Sequence, residues 1–76
     1  MTRFYYNEFT LSMLRALSDQ KMSFTTWLNL SKMTRQTFNI YRKMLLTQKL
    51  VTYDPILRMY QLTAKGEDKI REIENP

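Results

Sequence analysis

A chain of 76 residues with 43% apolar content suits one small domain, 1–76, built on one modest core, and one glycine with two prolines argues against linkers or disorder. The absence of Cys and His removes disulfides, thiol chemistry and the usual metal ligands, and one glycine cannot build a phosphate-binding loop, so no metal, cofactor or enzymatic activity is expected. A net charge of +5 and a pI near 9.8 are instead the footprint of a nucleic-acid binder. No apolar run approaches the roughly 20 residues of a membrane span, and "MTRFYYNEF" lacks the apolar region of a secretory signal, so a cytoplasmic protein without a membrane partner is expected.

The first element is predicted as an amphipathic helix over 7–18. Phe9, Thr10, Met13, Leu14, Ala16 and Leu17 share one side of its wheel, and Glu8, Leu11, Ser12 and Arg15 take the other. Asn7 suits the N-cap, but the pattern also runs back through Tyr6 and Tyr5 to a cap at Thr2, and both starts stand open. The polar run "SDQK" ends the helix. Ser23 then caps a short helix of about two turns, whose apolar content is Trp27, Leu28 and Leu30. "SKM" is long enough only for a turn.

Thr34 caps a longer helix, predicted over 35–48. At 100° per residue Phe38, Tyr41, Met44 and Leu45 fall on one arc. Arg35, Gln36, Asn39, Arg42 and Lys43 fall on the opposing arc, with Arg35 and Asn39 expected to be exposed. Leu46 is a misfit on the polar side, and Ile40 lies at the boundary. A helix face that is merely solvated usually interleaves acids with bases, which gains i,i+4 pairing. This face has no acid. Between Lys32 and Arg58 the chain carries six basic residues and one acid, Asp54. The pattern favours a polyanionic partner. Arg can pair bidentately with guanine edges, and Gln or Asn with adenine. The Thr34 hydroxyl and the free amides of the helix start can meet a phosphate.

Two short strands, 50–53 and 58–62, flank the turn signal Asp54-Pro55 and predict a hairpin. Thr63 caps a last helix. Glu67 and Asp68 suit its positive end, Glu67 and Arg71 form an i,i+4 pair, and Gly66, Ile70 and Ile73 make a narrow apolar stripe. The expected class is α+β, mainly α.

Three segments in this order resemble the winged helix-turn-helix family of prokaryotic DNA-binding proteins, most closely its small archaeal and MarR-like or PadR-like regulators. "SFTTWLNLSKMTRQTF" is similar to the family's second helix, turn and third helix. "YRKMLLTQKLV" is similar to the end of the recognition helix entering the first wing strand. "YQLTAKGEDKIREI" is similar to the common ending, a strand passing through Leu-Thr-x-x-Gly into a helix. The resemblance implies a three-helix core, a β-hairpin wing and a C-terminal helix. It implies a small transcriptional regulator binding double-stranded DNA sequence-specifically. Helix 34–48, through Arg35, Gln36, Asn39 and Arg42, would enter the major groove, and the wing with Arg58 would touch backbone or minor groove. Lys32 and Lys49 stand where the family often has glycine. A left-handed backbone there would cost lysine roughly 1 kcal/mol relative to glycine, and both lysines would be free to face phosphate. Lys43 is likewise expected to meet phosphate.

Trp27, Phe38, Tyr41 and Tyr60 read as core aromatics in preference to a stacking platform for single strands. The six methionines read as gap fillers. A homodimer is expected, since one short recognition helix reads few base pairs. Phe4, Tyr5 and Tyr6 either cover the core or, with an exposed Leu11, form the dimer contact; the outer side of the last helix near Ile73 is the other candidate. The second function class that stands open is a winged-helix module that binds protein, or a non-specific architectural nucleic-acid binder.

Overall fold

The computed structural model describes residues 8–75. Its elements run α1 (Glu8–Ala16), α2 (Phe24–Ser31), α3 (Arg35–Thr47), β1 (Val51–Asp54), β2 (Met59–Leu62) and α4 (Ala64–Glu74). The protein is an α+β domain, mainly helical, with one two-stranded antiparallel hairpin. Asn7, Thr2 and the aromatics Phe4, Tyr5 and Tyr6 lie outside the described residues. Among the described residues no helix is long and apolar enough to cross a membrane.

Three helices start where local hydrogen-bonding chemistry dictates. Ser23, Thr34 and Thr63 each adopt extended backbone, and each hydroxyl accepts from the amide three residues on. This satisfies one of the orphan donors at every start, an effect worth on the order of 1 kcal/mol per cap. The connection between α2 and α3 is short because Lys32 turns left-handed, at φ 55° and ψ 47°, directly after α2. Lys49 at φ 64° does the same after α3, and Arg58 at φ 57° closes the hairpin turn. The left-handed backbone raised for the first two lysines is therefore real, and an arginine adds a third instance.

The hairpin pairs Val51 with Leu62, Thr52 with Gln61, Tyr53 with Tyr60 and Asp54 with Met59. Side chains alternate across a strand. Val51, Tyr60 and Leu62 thus share the core face, while Thr52 and Gln61 are exposed. The first strand lies one residue later than predicted, because Leu50 turns away: its amide closes back onto the Leu45 carbonyl at 3.0 Å. Met22 adds a single bridge to the outer edge of β2, with Met22 N–H to the Tyr60 carbonyl at 3.0 Å and the reciprocal bond at 2.6 Å.

The core gathers Met13, Leu14, Leu17, Met22, Trp27, Phe38, Tyr41, Leu45, Leu50, Val51, Tyr60 and Leu62. The four aromatics read as core are all buried in it. Trp27 stands at its centre, with its ring 4.9 Å from Phe38 and 5.1 Å from Tyr60, and its indole N–H donates to the Met13 carbonyl at 2.9 Å. Several local expectations are corrected. Leu11 is half-buried, not exposed, because α1 packs against both α2 and α4. Phe9, assigned to the buried side, is 46% exposed and leans its ring on Tyr41 at 5.6 Å. Leu30, counted among the apolar content of α2, is half out of the protein, whereas Leu46 packs on the core edge. Arg71 pairs with Asp68, one turn back by i,i+3, and not with Glu67.

Candidate nucleic-acid interface

The polar face of α3 exists because the opposite face is used up. Phe38, Tyr41 and Leu45 are buried, which points Arg35, Gln36 and Lys43 into solvent. The helix of 13 residues is about 20 Å long, and this face, from Arg35 to Lys43, covers about 12 Å of it. Its first turn is open, since α3 has no acid there and Thr37 is the amide that Thr34 caps.

The Thr34 hydroxyl is turned inward. It accepts from the Thr37 amide at 3.2 Å and lies 3.0 Å from the Thr37 hydroxyl, so its role in the described structure is capping. The amides of Arg35 and Gln36, which have no acceptor within the helix, remain as the donors of this terminus.

Asn39 and Arg42 depart from the expectation of a freely exposed face. Both are half-buried. Arg42 donates through Nε at 3.3 Å and Nη2 at 3.2 Å to Asn39 Oδ1, and through Nη1 at 3.3 Å to the Tyr60 hydroxyl. Its guanidinium also lies over the Phe24 ring at 5.3 Å and the Tyr60 ring at 5.9 Å. Arg35 approaches the same Phe24 ring at 5.6 Å. Phe24 therefore organises two arginines through cation–π attraction, worth roughly 0.5–1 kcal/mol at exposed sites. Tyr60 ties the middle of α3 to β2.

Arg35, Asn39 and Arg42 thus form one cluster, flanked on the helix by the exposed Gln36 and Lys43. Lys32 is exposed at the end of α2, two residues before the Thr34 cap. Arg58 is exposed in the hairpin turn. Its amide donates to the Asp54 carbonyl at 2.7 Å, while the Asp54 carboxylate accepts from the Ile56 and Leu57 amides at 2.9 and 3.2 Å. The turn is therefore held by the one acid of this region. The contacts of the described structure do not join Lys32, Lys43 or Arg58 to the arginine cluster.

Charge is unevenly divided over the molecule. The ion pairs among the described residues are Arg15 with Glu74, Lys69 with Glu72 at 3.0 Å, and Arg71 with Asp68. All lie on α1 and α4. No acid stands between Asp19 and Asp54 in the chain, and Lys32, Arg35, Arg42, Lys43 and Arg58 have no carboxylate partner among the described residues. The contact of Phe9 with Tyr41 puts α1 on the apolar side of α3.

Two features escaped the sequence reading. Phe24 carries no periodic signal of its own, being a single aromatic just inside a cap. Ile56 and Leu57 stand out of the hairpin turn at 89% and 51% exposure; a short apolar pair after Asp-Pro resembles the start of a strand. Of the expected dimer contacts, Phe4 and Tyr5 fall outside the described residues, while Leu11 and Ile73 are both half-buried on the α1–α4 side. Comparison of the chain with protein-family models, with curated proteins and with solved structures gives no match.

Proposed function

We propose that the protein binds double-stranded DNA sequence-specifically as a small winged helix-turn-helix regulator, with α3 in the major groove and the hairpin as the wing. The observation that carries this reading is the acid-free cationic face of α3, whose cations have no carboxylate partner among the described residues, while the ion pairs of those residues lie on α1 and α4. An α-helix fits the major groove, about 12 Å wide. The element order supports the family likeness, as do the left-handed backbones at Lys32 and Lys49, where relatives of that kind often have glycine. Gln36 and Asn39 supply groups suited to base edges, Arg35 and Arg42 supply groups suited to both bases and phosphates, and Lys32, Lys43 and Arg58 supply charge for phosphates. Regulation of transcription is the simplest use of such a module.

Charge reversal tests the assignment. Arg35→Glu with Lys43→Glu should abolish duplex binding in a titration, while Lys69→Glu with Arg71→Glu, on α4, should change affinity by less than about threefold. Equal losses from both pairs would remove α3 from the interface. A second reading, a protein-binding winged-helix module, draws on exposed Ile56 and Leu57. It predicts that neither pair alters DNA affinity and that Ile56→Ser with Leu57→Ser removes the partner.

A further inference from the structure

We infer that Phe24 is a positioning residue of the DNA interface: its ring seats Arg35 and Arg42 together on the polar side of α3, and affinity for the duplex depends on that seat. The inference rests on the DNA-binding reading and deepens it, by a residue that can neither pair with a base edge nor bring charge to a phosphate. Phe24 opens α2 directly after the Ser23 cap. It is half-buried, and its ring meets the buried Phe38 edge to face at 5.3 Å. That contact fixes the ring to the core. The guanidinium of Arg35 lies over the same ring at 5.6 Å, and that of Arg42 at 5.3 Å.

The two guanidinium carbons therefore stand within about 11 Å of each other, near one Debye length at 0.1 M salt. Neither has a carboxylate partner among the described residues. Two cations gathered in this way repel in the free protein, and an anion set against them relieves the repulsion. The ring holds them together through cation–π attraction. It leaves their charge in place, which a carboxylate at position 24 would not. Arginine side chains are rich in rotamers, and ordering them on association costs affinity. The seat imposes part of that order before the duplex arrives.

A residue that only covers the core acts through its size and apolar surface, whereas a cation seat acts through the negative face of its ring. Phe24→pentafluorophenylalanine separates these roles, since it nearly keeps the shape and removes the negative face. The probe is a duplex enriched by the wild-type protein from a randomised pool. The fluorinated protein should bind it about 3- to 10-fold more weakly, with the salt slope unchanged because no charge is lost. Phe24→Tyr, which keeps an electron-rich face, should stay within about twofold of the wild type. In Arg35→Ala one of the two contacts is gone, and fluorination should cost about half as much on a logarithmic scale. Unchanged affinity on fluorination, or the same fold-loss in the Arg35→Ala background, would overturn the inference. NMR of the free protein stands apart from DNA. The Arg35 Cδ protons should carry a ring-current shift that Phe24→Leu removes. Shifts of a solvated arginine in the wild type would remove the seat and leave the DNA reading untouched. Enrichment of no duplex at all would instead remove the DNA reading, and this inference with it.

Discussion

Trp27 does two things at one point of the core. It fills the space between Phe38 and Tyr60, and its N–H satisfies the Met13 carbonyl near the end of α1. Trp27→Phe should cost about 2–4 kcal/mol, part cavity and part orphaned carbonyl, measured by thermal or denaturant melting. The two sides of α3 should separate in the same assay. Tyr41→Ala and Leu45→Ala, at 7% and 1% exposure, should each lose on the order of 2–5 kcal/mol. Arg35→Ala removes only an exposed cation–π contact and should shift stability by less than about 1 kcal/mol, yet weaken DNA binding by roughly 1–3 kcal/mol. Asn39→Ala should be less silent than an exposed position allows, since it strips Arg42 of its acceptor; about 1 kcal/mol of stability should go with it. At this scale the caps were legible and the hydrogen bonds of Arg42 to Asn39 and Tyr60 were not. Ser23, Thr34 and Thr63 act on amides three residues away, so a short window of sequence contains the whole interaction. Arg42 meets Tyr60, 18 residues on, and only the tertiary fold brings them together.

The elements are constrained mostly where they join. Gly66 lets the first turn of α4 lie against the Lys49–Leu50 connection; a Cβ there would stand 2.2 Å from the Leu50 carbonyl oxygen and 2.6 Å from Leu62 Cδ1. Alanine is the better helix former by about 1 kcal/mol, but the clash is with backbone and should dominate. Gly66→Ala should destabilise the fold by roughly 1–3 kcal/mol, seen as a lowered melting temperature. Lys49→Gly should act the other way. The left-handed backbone at φ 64° disfavours lysine by about 1–2 kcal/mol, partly offset by the greater freedom of an unfolded glycine. A net gain of up to about 1 kcal/mol is expected. Lys49 follows the far end of α3 from Thr34, so DNA affinity should hold. The number, type and order of the described elements could be read from periodicity and turn signals. The strand start could not, because Leu50 looks like a strand residue and is diverted by its bond to Leu45. Nor could the Arg71–Asp68 pair: Glu67 and Asp68 stand four and three residues before Arg71, and both spacings allow an ion pair.

The ion pairs among the described residues lie on α1 and α4, and the cations of α3 take part in none of them. A homodimer that sets two α3 helices about 34 Å apart on one face of DNA is expected to form on the α1–α4 side, where Leu11 and Ile73 lie. Sedimentation at micromolar concentration should show a dimer that Ile73→Glu weakens; a strict monomer, both free and on DNA, would refute the arrangement. Charge asymmetry was visible in the sequence as an acid-free run, but which cations are held by aromatics was not. The central claim, that the uncompensated cations meet a polyanion, is tested most directly by the salt dependence of duplex binding. If about four to six phosphates are engaged by Lys32, Arg35, Arg42, Lys43, Arg58 and the α3 start, the slope of log K against log salt should be roughly −4 to −5 per monomer. A slope near zero would contradict it.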